Sequence, residues 1–202
     1  MNEATRTPPS SRPRRGREFV LAAATALFHE RGYDATSMSD IADRLGVTKG
    51  ALYRHVKSKA ELLHAVTAPV RATVSALLSA SVPADGLEVA AVAALLRGLA
   101  DAAADDPAGH ALFWGAHGRP GADGPDAVCR EAVCRRLAEL LEVAVVRGDV
   151  RDDIAPRLAA RLLLGAVVGS GGLLDGATVP PSASAVALLL EGPVRVPLAQ
   201  PA

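Results

Sequence analysis

Residues 36–59, TSMSDIADRLGVTKGALYRHVKSK, decide how the rest of the chain is interpreted. Ser37 and Asp40 match a capping box, in which a serine and an acid three residues later satisfy free N–H groups at a helix start. Gly46 ends that helix, because glycine adopts a positive φ at no steric cost. Thr48 then caps a second short helix. Two short helices joined by a glycine-containing turn indicate a helix-turn-helix, whose second helix enters the major groove of DNA.

The polar residues outside the apolar stripes of these helices are candidate DNA contacts. Hydroxyls at a helix start can hold a phosphate beside free N–H groups, or they can only cap the helix. The second helix is predicted from Lys49 to about Val56, and its first turn faces base edges. Lys49 can donate to guanine there, and Gly50 lets the backbone approach closely. The position-based candidates are Thr36, Ser37, Ser39, Thr48, Lys49, Gly50 and Arg54, of which Arg54 reaches a phosphate or solvent.

The same stretch resembles the DNA-binding signature of TetR-family transcriptional regulators. The matching residues are Thr36, Ile41-Ala42, Leu45-Gly46-Val47, Ala51-Leu52-Tyr53, His55-Val56 and Ser58-Lys59, preceded by Ala24, Leu27-Phe28 and Gly32-Tyr33. The resemblance covers residues 17–66. It implies that Tyr53, His55 and Lys59 bind phosphates. It also implies an all-α fold, with an N-terminal three-helix helix-turn-helix domain followed by a larger helical ligand-binding and dimerisation domain.

Composition is typical of a helical protein of the bacterial cytoplasm. Half of the 202 residues are hydrophobic but only 3% are aromatic, so the core must be built from Ala, Leu and Val. The longest uncharged apolar run, residues 162–174, is 13 residues long and contains four glycines, so no membrane span is expected. The N-terminus has no apolar signal segment. Cys129 and Cys134 lie about 140° apart on one predicted helix, so they form neither a disulfide nor a metal pair.

Charge is distributed unevenly although the net charge is zero. Residues 1–64 carry 11 basic and 7 acidic side chains, and residues 65–202 carry 11 and 15. A basic first region on an acidic second region suits a protein that docks one end on a polyanion, although a mixed solvated surface gives the same numbers. No phosphate loop, metal-ligand spacing or nucleophile motif is present, so we expect neither a small helical enzyme nor a metal or cofactor.

The chain is predicted to divide into four segments. They are a disordered basic arm at 1–16, a helix-turn-helix domain at 17–66, a helical ligand-binding and dimerisation domain at 67–192, and an irregular tail at 193–202. The arginines of the arm lie against DNA, or they only keep the chain soluble. They are Arg12, Arg14, Arg15 and Arg17.

A long helix, from residue 59 to about 80, is predicted to connect the two domains. Pro69 interrupts it, because proline lacks the N–H group that would bond the carbonyl of Ala65. The helix therefore either kinks near Pro69 or ends at Thr67. We hypothesise that motion of the second domain reaches the first at this point.

Two features of the second domain predict its partners. Helices at about 155–174 and 182–191 are apolar on several faces and must be covered. The family resemblance implies a homodimer through both helices, and burial within one monomer is the alternative. A cluster of large side chains is expected to line a pocket for an unknown small-molecule effector, or else to form core. Its members are His110, Phe113, Trp114 and His117.

The sequence thus predicts a sequence-specific DNA-binding transcriptional regulator in the cytoplasm, associated with the nucleoid when it is bound to DNA. We expect a homodimeric repressor that a small apolar or amphipathic ligand releases from a near-palindromic, double-stranded operator. An activator or a ligand-blind regulator on the same scaffold is the alternative, and ligand-induced loss of DNA binding separates the two.

Overall fold

The structure, a computed structural model, describes residues 16–83, 86–115 and 124–173. Eight helices and no strand occur in these ranges, as the all-α prediction requires. The helices are α1 (Arg17–Arg31), α2 (Met38–Leu45), α3 (Lys49–Leu52), α4 (Lys59–Ala80), α5 (Glu88–Asp105), α6 (Pro107–Trp114), α7 (Pro125–Arg147) and α8 (Pro156–Leu173). The predicted helix at 182–191, the tail, His117, and the basic arm apart from Arg17 lie outside the described residues.

The predicted capping box begins α2. The Ser37 Oγ accepts the N–H of Asp40 at 3.1 Å, and the Asp40 carboxylate accepts the N–H of Ser37 at 2.7 Å. Gly46 ends the helix with φ +60° and ψ +38°, and its N–H donates to carbonyls of the last turn. An L side chain at that φ is strained, so glycine is required where the chain turns towards α3.

The second helix of the motif is shorter than predicted. Thr48 caps α3 by accepting the N–H of Ala51 at 3.2 Å. The helix then ends at Leu52 rather than near Val56, so that prediction was wrong. The N–H groups of His55 and Val56 both bond the carbonyl of Leu52, at 2.9 and 3.4 Å, which makes a turn. This turn buries Val56 in the core and brings Ser58 to the start of α4.

The connecting helix α4 runs from Lys59 to Ala80 without a break, so the predicted end at Thr67 is excluded. The Ser58 Oγ accepts the N–H of Glu61 at 3.0 Å at its start. Pro69 lies inside the helix and is exposed. By length and composition α4 is apolar enough to cross a membrane. Its buried side chains, however, pack in both protein cores, as a core helix does.

The helices pack around two hydrophobic cores that share α4. The first core is formed by α1 to α3 with the start of α4, and it contains the fully buried ring of Phe28. The second is formed by the rest of α4 with α5 to α8. Val66 belongs to the first core and Val70 to the second, while Leu112 of α6 reaches into the first. The change from the first core to the second thus falls within one turn of α4. The domain boundary between residues 66 and 67 stays a prediction.

Candidate nucleic-acid interface and effector pocket

The helix-turn-helix presents most of the predicted contact residues to solvent. Ser37 and Ser39 are exposed at the start of α2, and Tyr53 has 44% of its surface exposed after α3. The other exposed candidates are Thr48, Lys49, Gly50, Arg54 and His55. The candidates from Thr48 to His55 lie within eight consecutive residues along α3 and its flanking turns, whereas Ser37 and Ser39 lie at the start of α2.

The basic side chains of this region fall into two groups. Arg44 pairs with Glu30 at 3.1 Å, where it lowers the pKa of Glu30 through its hydrogen bonds, and Arg31 lies 3.9 Å from Asp40. Lys49, Arg54 and Lys57 are exposed and form no ion pair with any residue that the structure describes. Unpaired cations beside a helix N-terminus are the arrangement that binds phosphates.

Two of the predicted contacts have structural roles in the first domain. Thr36 is only 1% exposed, and its hydroxyl donates to the carbonyls of Gly32 at 2.8 Å and Leu27 at 3.3 Å. It closes the turn between α1 and α2 and is not at the surface. Lys59 is half-buried, with its ammonium 3.3 Å from the carbonyl of Asp34 and 4.2 Å above the ring of Tyr33. An ammonium has three N–H donors, so this bond leaves Lys59 capacity for a phosphate.

A buried carboxylate joins α4 to α7 next to the first domain. Asp126, in the first turn of α7, accepts hydrogen bonds from the Thr67 hydroxyl at 2.7 Å and from the Arg71 guanidinium. The His64 Nδ1 lies 3.1 Å from the same carboxylate. The three partners are spaced by three and four residues, which places them on one face of α4. Burial raises the pKa of Asp126, but these hydrogen bonds outweigh it and hold the pKa below its usual value.

A cleft of about 550 Å³ lies between α6, α7 and α8. It is lined by Trp114, Ala127, Arg130, Glu131, Cys134, Arg161, Leu164, Gly165 and Val168. Of the predicted pocket residues, Trp114 lines this cleft. Phe113 is fully buried and packs edge-on against Trp114, so it belongs to the core. His117 lies outside the described residues.

His110 does not line the cleft either. It is buried, and its Nδ1 has no hydrogen-bond partner among the described residues. Burial lowers the pKa of His110, and Asp106 opposes that shift. A neutral imidazole with one unpartnered nitrogen is consistent with a core position.

Arg130 is one of the cleft residues that sequence reasoning missed. It is buried on α7, its guanidinium donates to the carbonyl of Phe113 at 2.7 Å, and it lies 5.6 Å from the centre of the Phe113 ring. Burial lowers its pKa, against the attraction of Asp126. The sequence did contain a signal, because Arg130 shares a helix face with the apolar residues Val133, Cys134 and Leu137. A charged residue on an apolar stripe marks a buried polar site.

The sequence matches to known proteins fall in the first domain. A family model described as "Bacterial regulatory proteins, tetR family" matches residues 20–66. The HTH-type transcriptional activator FasR of Mycolicibacterium smegmatis is 53% identical over 53 residues, 26% of this chain and 23% of FasR. The HTH-type transcriptional repressor KstR2 of the same species is 41% identical over 56 residues, 28% of this chain and 27% of KstR2. The matches thus span about a quarter of each relative.

Comparison of structures covers nearly the whole fold. The crystal structure of the TetR family transcriptional regulator PfmR from Thermus thermophilus superposes with a TM-score of 0.72. The alignment covers 89% of this chain and 98% of PfmR, at 23% sequence identity. At that identity the likeness shows a shared fold, in which a helix-turn-helix domain precedes a larger helical domain.

Proposed function

We propose that this chain is a sequence-specific DNA-binding regulator of the TetR family, because residues 20–66 match that family of bacterial regulatory proteins, whose members are transcriptional regulators and not enzymes. The observation that carries the proposal is the set of exposed cations around a capped recognition helix, Lys49, Arg54 and Lys57, which pair with no described residue. Ser37, Ser39, Thr48, Tyr53, His55 and Lys59 supply further phosphate contacts. Gly50 allows close approach to the groove, and we leave out Thr36 because it is buried.

The proposed active form is a homodimer on a near-palindromic, double-stranded operator. TetR-family regulators dimerise and bind operator DNA. In this chain α8 supports the same arrangement, because Leu158 is 53% exposed and Leu162 is 47% exposed one turn later. Ala166 continues that exposed apolar row by another turn. Two recognition helices related by a two-fold axis would meet two half-sites on one face of the DNA.

A small apolar or amphipathic ligand in the cleft of α6, α7 and α8 is proposed to release a repressor from its operator. Asp126 supports the coupling, because α7 lines the cleft and Asp126 bonds α4 on the side of the first domain. Pro69 lies on α4 between Thr67 and Arg71, two of the residues that bond Asp126, and bending there remains our hypothesis. A cytoplasmic location, at the nucleoid while DNA is bound, follows from this function.

The alternative is an activator or a ligand-blind regulator on the same scaffold, and FasR, named an activator, keeps it open. Transcription from the bound promoter, with and without the protein, separates activation from repression. A ligand-blind regulator would keep its operator affinity in the presence of every molecule that binds the cleft.

Binding to the DNA upstream of the chain's own coding region, measured over a salt series, tests the proposal. We expect specific binding with two subunits per pair of half-sites, weakening with salt as phosphate contacts are screened. Lys49→Ala and Tyr53→Ala should each weaken it, and Arg97→Ala, an exposed cation on α5, should not. Binding without sequence preference across the bacterial genome, or equal binding by Lys49→Ala, would contradict the proposal.

A further inference from the structure

The charge at the cleft of α6, α7 and α8 differs from that of the region around it. Residues 65–202 carry 15 acidic and 11 basic side chains. The cleft wall nevertheless holds two arginines, Arg130 and Arg161, and a single acid, Glu131. Glu131 is paired with a third arginine, Arg157, at 3.1 Å, so its charge is already balanced. Arg161 therefore adds a positive charge to the cleft wall within an acidic region.

The two cleft arginines differ in what else they do. The buried Arg130 donates to the carbonyl of Phe113 and so also joins α6 to α7. Arg161 is exposed on α8 and forms no ion pair with a described residue. A guanidinium carries five N–H donors in a planar fork that matches the oxygens of a carboxylate or phosphate. Arg161 is consequently the cation that a ligand would meet first.

The rest of the cleft wall is apolar. Trp114, Leu164 and Val168 supply large side chains, and Ala127 and Gly165 leave room between them. A Cβ atom added at Gly165 would meet nothing within 4 Å, so the space beside α8 is open. The volume of about 550 Å³ lies in the range of roughly 300–1,000 Å³ that is usual for small-molecule sites.

We propose that this cleft binds an amphipathic anion, with an oxyanion head at Arg161 and an apolar body against Trp114, Leu164 and Val168. The head is a carboxylate or a phosphate, which a guanidinium binds by the same geometry. The role of this ligand as effector rests on the function proposed above, whereas its binding to the cleft does not.

The chain's only tryptophan makes the proposal directly measurable. Trp114 lines the cleft, so its fluorescence reports a molecule that enters. The full-length protein is titrated with dodecanoate, dodecyl phosphate, dodecanol and dodecyltrimethylammonium, each below the concentration at which it aggregates. We expect at least one of the two anions to bind at least about fivefold tighter than the alcohol, and the cation to bind weakest. The tighter of the two anions identifies the head group.

Substitutions at the exposed arginine test the charge. Arg161→Gln should weaken the preferred anion by about threefold to fivefold, the size of one partly exposed ion pair, and leave dodecanol unchanged. Arg97→Gln, which removes an exposed cation from α5, should change neither affinity. Arg130 is kept intact in this test, because it also supports the packing of α6.

Substitutions at Gly165 test the place of binding. Gly165→Phe should fill the open space and abolish the fluorescence change with every probe. Gly165→Ala is the matched control, since it removes the helical glycine without filling the cleft, and it should bind like the parent protein.

The proposal is overturned if the alcohol or the cation binds as tightly as both anions. It is also overturned if Arg161→Gln weakens all probes equally, or if Gly165→Phe still binds. DNA affinity is measured in parallel on the same samples. Anion binding without any change in DNA affinity would support the binding site and contradict only its effector role. Specific DNA binding without anion preference would support the proposed DNA-binding function and contradict the anion site.

Discussion

The side-chain hydrogen bonds of the second domain span longer stretches of sequence than those of the first domain. In the first domain Ser37, Thr48 and Ser58 each cap a helix by bonding an N–H group three residues later. In the second, Asp126 bonds Thr67 across 59 residues of sequence, and the Arg136 Nε bonds the carbonyl of Ser81 across 55. Local bonds fix single helices, whereas distant bonds fix how helices pack. The difference suggests that a bound ligand acts on the distant bonds, which fix how the helices pack.

The two domains also use charge differently. Three cations proposed to bind DNA, Lys49, Arg54 and Lys57, are exposed and form no ion pair with a residue in the described ranges, so they are available to a polyanion. The charged groups of the second domain include a buried arginine and a buried aspartate, each held by hydrogen bonds to another helix. Buried charges are stable only while their partners stay in place. The second domain should therefore respond to small displacements that leave the first unaffected.

The largest expected effect tests whether the two cores unfold together. Phe28→Ala in the first core and Leu137→Ala in the second both empty fully buried positions, and each should cost about 2–5 kcal/mol. Because α4 contributes to both cores, we expect a single unfolding transition. Denaturation followed by Trp114 fluorescence and by circular dichroism measures it. If Phe28→Ala left the Trp114 transition of the second domain in place, the cores would be independent.

The junction at Asp126 comes next in size. Asp126→Asn removes the charge that Arg71 and His64 face, and we expect a loss of about 2 kcal/mol, less than for a fully buried pair because both partners are partly exposed. Asp101→Asn, an exposed acid on α5, is the control. The free energy of unfolding from urea titration measures both. Equal stability of the two variants would show that the network does not hold α4 to α7.

The same junction predicts a pH dependence. The hydrogen bonds to Asp126 hold its pKa below the ordinary value of about 3.9. A group whose pKa is lowered by folding stabilises the protein above its unfolded pKa and loses that contribution as the pH falls through the folded pKa. The parent protein should thus lose stability below about pH 4, and Asp126→Asn should lose less over the same window. Parallel curves for the two proteins would rule out this linkage.

A smaller effect is expected at the cap of the connecting helix. Ser58→Ala removes the acceptor for the Glu61 N–H and should cost about 1 kcal/mol. Ser79→Ala lies in the same helix, where its hydroxyl only bonds back to the carbonyl of Ser75 at an exposed position. That variant should be neutral or slightly more stable. Thermal unfolding of the pair distinguishes a cap from a generic serine effect.

The sequence predicted the first domain more completely than the second, because local contacts follow from residue spacing and distant contacts do not. Capping residues and the turn glycine act on their neighbours, so Ser37, Gly46 and Thr48 could be assigned from spacing alone. The early end of α3 was missed, because it depends on the tertiary burial of Val56.

In the second domain the predicted helices at 59–80 and about 155–174 lie close to α4 and α8, but the predicted pocket residues do not share one environment. Phe113 and Trp114 are adjacent in sequence, yet one is core and the other lines the cleft. Which one does so depends on α7 and α8, whose arrangement no local pattern reports. The hydrogen bonds of Asp126 likewise could not be predicted from the sequence, although the spacing of His64, Thr67 and Arg71 is visible there.

The smallest effect on stability is expected at Gly50, where the comparison between folding and function is sharpest. A Cβ at this exposed position in α3 meets no atom of the protein within 4 Å. Gly50→Leu should therefore fold normally, with a gain of at most about 1 kcal/mol from better helix propensity. In the major groove the same side chain would hold the backbone away from the bases, so operator affinity should fall at least about tenfold, while binding to random DNA falls less. Gly50→Ala is the matched control, with the smaller loss. Unchanged operator affinity in Gly50→Leu would mean that α3 does not approach the bases closely, and that recognition depends on the exposed cations alone.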